Sequence, residues 1–237
     1  MKKIHRMNEA AWVLGILLCS LGIALCTKAN LGLSMIAAPP YILSRYFGGI
    51  AAEGGAAFFS FLTQGTCEYI WQGLLLVLLC LIIRRFRPRY LLAALTAVLS
   101  GYTLDGFLWL LHGYDIPAAL PLRILLFAAG TVVTALAIAF FFRTDLPLSV
   151  YELVVVEIAR RFSLSTGRVK QVNDLCMLAI SLLLDLLLLG GFCGVGWGTL
   201  IISLVNAPLI SLFGRWLDRI FDFDPLFPAL TKALIEK

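Results

Sequence analysis

The chain predicts an all-α polytopic membrane protein: six transmembrane helices as two inverted three-helix repeats, each with a broken or re-entrant segment after its first helix. Three observations carry this expectation. Hydrophobic residues are 61% of the 237 and charged residues 14%, with a mean hydropathy of +0.95, outside ordinary soluble usage. The apolar residues gather into six runs close to the roughly 20 residues that cross a bilayer as a helix. Gly15 to Phe47 also aligns without a gap on Gly130 to Phe162, with nine of 33 positions identical and only three of those leucine.

The predicted spans are Ala10 to Thr27, Tyr69 to Ile83, Tyr90 to Leu111, Ile124 to Phe142, Val169 to Leu189 and Thr199 to Trp216. Arg84, Arg85, Arg87 and Arg89 between the second and third spans, with Lys2, Lys3 and Arg6 at the start, place both regions on the cytoplasmic side by the positive-inside rule. Two full crossings separate them, so Leu31 to Gln64 starts and finishes on the outer side, dipping in or lying flat. Arg160, Arg161, Arg168 and Lys170 then fall inside, while His112 to Pro121 and Gly190 to Gly198 fall outside. An odd number of crossings per repeat inverts the second copy. The chain reads as a single transmembrane domain, residues 1–237, with repeat 1 at about 10–111, repeat 2 at about 121–217 and short cytoplasmic tails. The basic start and apolar first run resemble a signal peptide, but the first span is the mate of the fourth, so it is expected to be retained.

Within the aligned block, KANLGLS is paired with RTDLPLS, so that Lys28 matches Arg143 and Asn30 matches Asp145. Ser34 and Ser149 follow these breaks and precede helix-compatible stretches, and Ser149 with Glu152 has capping-box spacing. Such helix starts present free N–H groups and a positive dipole end, suited to an anion or a carbonyl oxygen. Each could equally be an ordinary cap on an interfacial helix. Pro39 and Pro40 prevent the first broken segment from being one straight helix. Thirteen residues, Gly48 to Ser60, are extra in the first copy and read as a loop or as an outer lid; beyond them Gly65 matches Gly167 and Gln72 matches Asp174.

The candidate substrate-binding residues are Asn30, Ser34, Gln72, Asp105, Asp145, Ser149 and Asp174. An aspartate such as Asp105, deep in the third span, costs roughly 2.5–3.5 kcal/mol on insertion scales, so it faces the bundle interior as a proton carrier, a counter-charge or a structural partner. Asp174, Ser181 and Asp185 share one helical stripe of the fifth span. Lys28, Arg143, Arg45 and Arg160 read as snorkelling or surface anchors, and Glu68 and Glu157 as interfacial, with Glu157 also within reach of a cytoplasmic mouth. GGFCGVGWG reads as a flexible outer turn.

Six cysteines without a CxxC pair, and two histidines far apart, support neither a zinc site nor a disulfide framework. No HExxH, no P-loop and no plausible Ser, His and Asp set appears, so neither a catalytic residue nor a cofactor is expected. The modest net charge of +5 serves topology, and no nucleic-acid partner is expected.

LGIALCTKANLGLS, GTCEYIWQ, LSGYTLDGFLWLL, RTDLPLSVYELV, STGRVKQVNDL and GWGTLIISLVNAPLI together resemble the YczE/YyaS/YitT family of bacterial integral membrane proteins, in its short YczE-like branch without a carboxyl-terminal soluble domain. The resemblance runs from Gly15 to about Trp216. It implies a bacterial cytoplasmic (inner) membrane location and the duplicated arrangement; the cytoplasmic placement of both termini rests on the loop charges. In place of the aromatic and acidic stretch usual after the first break, this chain has MIAAPPYILS.

Two functions follow as expectations. One is a secondary transporter, or permease, for a small polar or organic solute, with protons as a possible coupling ion. The other is a non-transporting membrane partner or regulator of another complex, or a homo-oligomer, using small-residue packing such as Gly15 to Cys19.

Overall fold

Apolar helices dominate the computed structural model, which describes residues 8–54, 57–87, 89–113, 119–144, 146 and 149–223. In chain order these form α1 (Asn8–Ala29), α2 (Ala38–Ala52), α3 (Gln64–Ile83), α4 (Arg89–Leu110), α5 (Leu120–Phe141), α6 (Val150–Arg161), α7 (Thr166–Leu184) and α8 (Trp197–Ile220). A 3₁₀ turn at Ala57–Phe61 precedes α3, and a π-helical turn at Asp185–Leu189 continues α7. All six predicted spans are present as helices long and apolar enough to cross a membrane: α1, α3, α4, α5, α7 with its π turn, and α8. Their outward leucines and valines, among them Val77, Leu81, Leu187 and Leu204, are exposed in the isolated chain, as a lipid-facing surface requires.

The remaining helices, α2 and α6, have 15 and 12 residues. At 1.5 Å per residue they reach roughly 22 and 18 Å, short of the ~30 Å hydrocarbon core. α2 begins at its prolines, which occupy the first turn where a missing N–H leaves no bond unmade. Its first five residues are buried, while Gly48 and Gly49 near its end are exposed. α6 is buried along most of its length and ends in exposed Arg160 and Arg161. Each broken segment therefore starts a short helix inside the bundle and runs outward. Of the predicted insertion, Gly48 to Ala52 belongs to α2 rather than to a loop, and Phe59 stacks on Phe47 at a centroid distance of 5.5 Å.

Close helix crossings are made by glycines. A Cβ at Gly22 of α1 would lie 2.2 Å from Thr134 Oγ1 of α5, and one at Gly130 of α5 would lie 2.7 Å from Cys26 Sγ of α1. Gly65 of α3 and Gly101 of α4 oppose each other even more tightly, with a Cβ at Gly65 reaching 2.0 Å from the Gly101 carbonyl oxygen. Small residues permit such backbone approach where lipid supplies no hydrophobic drive for association.

Packing also fixes which helix ends share a side. Ala11, Ala139, Phe140 and Leu217 cluster, joining the start of α1 to the ends of α5 and α8. Cys26, Ala29, Leu33, Phe127, Val195 and Ile202 cluster at the opposite side. The end of α3, the start of α4, α6 and Met177 of α7 form a third cluster. The neighbours of α1 to α4 mirror those of α5 to α8: α1 packs on α4 as α5 packs on α8, α2 on α3 as α6 on α7, and α2 on α7 as α6 on α3. Two mirrored pairs differ among the described residues: α3 and α4 pack closely whereas α7 and α8 stand apart, and α4 packs on α6 whereas α8 does not pack on α2.

Candidate functional site

The two breaks meet at a central cavity. Ser34, Ile36 and Ala37 ahead of α2 and Ser149, Tyr151 and Glu152 at the start of α6 line one space of about 60 Å³. α3 contributes Glu68 and Gln72, α1 contributes Cys19, Ser20 and Ile23, and α8 contributes Asn206. Three predicted site residues are thus brought together, namely Ser34, Gln72 and Ser149.

The polar centre of the cavity joins α3 to α6. Tyr151 Oη donates to Glu68 Oε1 at 2.9 Å, and Gln72 Nε2 donates to the same oxygen at 3.2 Å. Gln72 Oε1 accepts from the Val150 backbone N–H at 3.4 Å, so α3 satisfies one of the orphan donors of α6. Ser149 does not close the expected capping box: its hydroxyl bonds the Glu152 carboxylate instead of a backbone N–H. Ser34 does not cap α2 either. That position is Ala37, and the Ser34 carbonyl accepts from Ala37 N and Ala38 N, both at 3.0 Å, in the turn before the helix.

Glu68 is only 4% exposed and Glu152 only 6%, which corrects the interfacial reading of Glu68 and adds Glu152 as a cavity carboxylate. Both were detectable by spacing, since Glu68 lies four residues before Gln72 and Glu152 three after Ser149, each on the same helical face. Their hydrogen-bond partners are neutral, and no lysine or arginine is among the described residues lining the cavity. The hydroxyls of Thr96, Ser100 and Thr134 bond carbonyls of their own helices, at 2.8–2.9 Å. They leave the carboxylates and amides as the specific groups.

Three other predicted site residues are not in this cavity. Asp105 accepts from Gly65 N at 2.8 Å and from Thr63 Oγ1 at 2.5 Å. It caps the amino end of α3, whose unpaired N–H groups draw a carboxylate more strongly than an empty space does. Asn30 ends α1 in the left-handed region, φ 50°, and its carbonyl accepts from Arg123. Asp174 sits on α7 beside Lys170, 3.5 Å away. Asp145 lies outside the described residues.

Asp174 instead lines a second space of about 310 Å³ between α7 and α8, with Lys170, Gln171, Ala207 and Ile210. Ser34, Ile36, Ile138 and Asn206 line both this gap and the central cavity. At the far end of the same pair the helices are tied. Asp185 is fully buried and accepts from Gly194 N at 3.1 Å and Val195 N at 3.0 Å. Leu33 N donates to Gly194 O at 3.1 Å, and Gly198 N to Leu31 O at 2.8 Å. The turn between α7 and α8, predicted as flexible, is therefore pinned to the first break rather than free, and Asp185 is its structural support.

On the arginine-rich side, Glu157 of α6 is also buried, not interfacial, and pairs with Arg87 at 3.3 Å and with Arg89. Tyr90 Oη donates to it at 3.1 Å. Arg143 is held by Asp218 of α8 through bonds of 2.6 and 2.8 Å rather than snorkelling alone. Among the described residues no cluster of His, Cys, Asp and Glu could hold a metal ion.

Neither a curated protein nor a solved structure matches the chain. Residues 7–215, most of the sequence, match a family of unknown function, and the chain belongs to that family, DUF6198.

Proposed function

We propose that the protein is a secondary transporter for a small polar or organic solute, working by alternating access between two inverted three-helix repeats. The observation that carries this reading is the mismatch between mirrored helix pairs around one cavity. Both breaks reach that cavity, α3 and α4 are closed on each other beside it, and α7 and α8 leave a gap that shares its wall. With the arginine-rich loops in the cytoplasm, the gap opens inward and the pinned turn closes the outside. Exchange of the two conformations between the repeats would close α7 on α8 and part α3 from α4. Location in a bacterial cytoplasmic membrane, with both termini inside, draws on the loop charges and on the resemblance to the YczE-like proteins.

The buried Glu68 and Glu152 support protons as the coupling ion, because carboxylates at this depth without a cation call for a compensating charge. Purified protein in liposomes loaded with a metabolite extract should release at least one solute faster than empty liposomes. In a background free of native cysteines, a disulfide between Gln171→Cys and Ala207→Cys across the gap should stop that release, and a reductant should restore it. Release unaffected by the cross-link would sink the alternating-access reading. Absence of any release, together with a stoichiometric co-purifying membrane protein, would favour the partner role.

A further inference from the structure

Taking the central cavity as the transport site, we propose that it binds a small primary amine in its ammonium form, gripped by Glu68 and Glu152. The charge balance is the first reason. The starts of α2 and α6 both reach the cavity, and each helix start is worth roughly half a positive charge. Together they offset about one of the two carboxylates, so about one negative charge is left for the ligand to balance. A monocation restores neutrality; an anion would add to the excess.

Hydrogen-bond inventory is the second reason. Tyr151 and Gln72 both bond Glu68 Oε1, and among the described residues no donor is bonded to Oε2. Ser149 bonds Glu152 Oε2, again leaving one oxygen over. Asn206 Oδ1, on the same wall, is buried without a partner. Three acceptors in one cavity match the three N–H donors and absent acceptor of an alkylammonium group. Ile23, Leu104, Ile138 and Phe141 supply an apolar wall for the alkyl part. Such a division, mostly apolar lining with a few placed polar groups, is typical of small-molecule sites.

n-Butylammonium and butyrate, with chain length matched and charge reversed, separate this proposal from its rivals. Isothermal titration into the full chain in detergent should give saturable butylammonium binding and none for butyrate. Glu68→Gln and Glu152→Gln should each weaken the ammonium affinity at least tenfold. A second measurement, on the unaltered protein, removes dependence on the variants folding. A hydrophobic carbodiimide should label Glu68 or Glu152, and butylammonium, but not butyrate, should slow that labelling at least fivefold. Tighter binding of butyrate, butylammonium affinity unchanged in both variants, or labelling indifferent to butylammonium would each overturn the proposal. Binding and protection without flux of butylammonium in liposomes would leave the site in place and remove the transport reading. Protein-dependent release of some other solute without ammonium binding would do the reverse.

Discussion

The pair α3–α4 and the pair α7–α8 hold matching places around the cavity, yet one is closed and the other parted. In the first, Gly65 and Gly101 let the backbones touch, and Asp105 of α4 bridges to the start of α3. In the second, Gly167 at the position matching Gly65 has nothing near it, and the tie is at the opposite end, through Asp185. The difference teaches that equivalent sequence positions in a duplicated membrane fold need not be in equivalent states.

Four substitutions test that contrast, in falling order of effect. Asp185→Ala leaves two buried N–H groups without their acceptor, each costing roughly 1–3 kcal/mol, so a loss of about 4 kcal/mol is expected in detergent unfolding. Gly65→Ala gains up to about 1 kcal/mol of helix preference, but its methyl meets the Gly101 backbone at 2.0 Å, and overpacking of this kind costs roughly 1–3 kcal/mol. A net loss of about 2 kcal/mol, read from the melting temperature, is the expected outcome.

Asp105→Ala removes the bridge but leaves the glycine contact, so a smaller loss of about 1.5 kcal/mol is expected in the same assay. Gly167→Ala should be neutral or stabilise by about 0.5 kcal/mol, since it enters open space in a helix. If α7 closes on α8 during a cycle, the same methyl should slow solute release from liposomes while leaving the fold intact. Equal destabilisation by Gly65→Ala and Gly167→Ala would show that the two pairs share one packing in solution.

Much of this was legible in the chain. The six spans fell within a few residues of their predicted ends, because crossing a bilayer demands a long apolar run and nothing else in the sequence imitates it. The breaks at Ser34 and Ser149 stood out by repetition, and both line the cavity. The aspartates misled, since an ionisable residue in an apolar run announces that it needs a partner without saying which. For Asp105 that partner is a helix start; for Asp185 it is a turn, and for Asp174 it is in part Lys170.

The sequence alone determined six helices long and apolar enough to cross a membrane and two interior breaks, all consequences of local rules on hydropathy, length and proline placement. Tertiary structure decided which carboxylates share a cavity and which helix pair stands open. In the sequence Glu68 and Glu157 read alike as interfacial and Asp185 as part of a polar stripe, but each helix's rotation about its axis is set by its neighbours. That rotation, fixed by glycine contacts and backbone ties between distant segments, turns Glu68 toward the cavity, Glu157 toward the arginines and Asp185 toward the turn before α8.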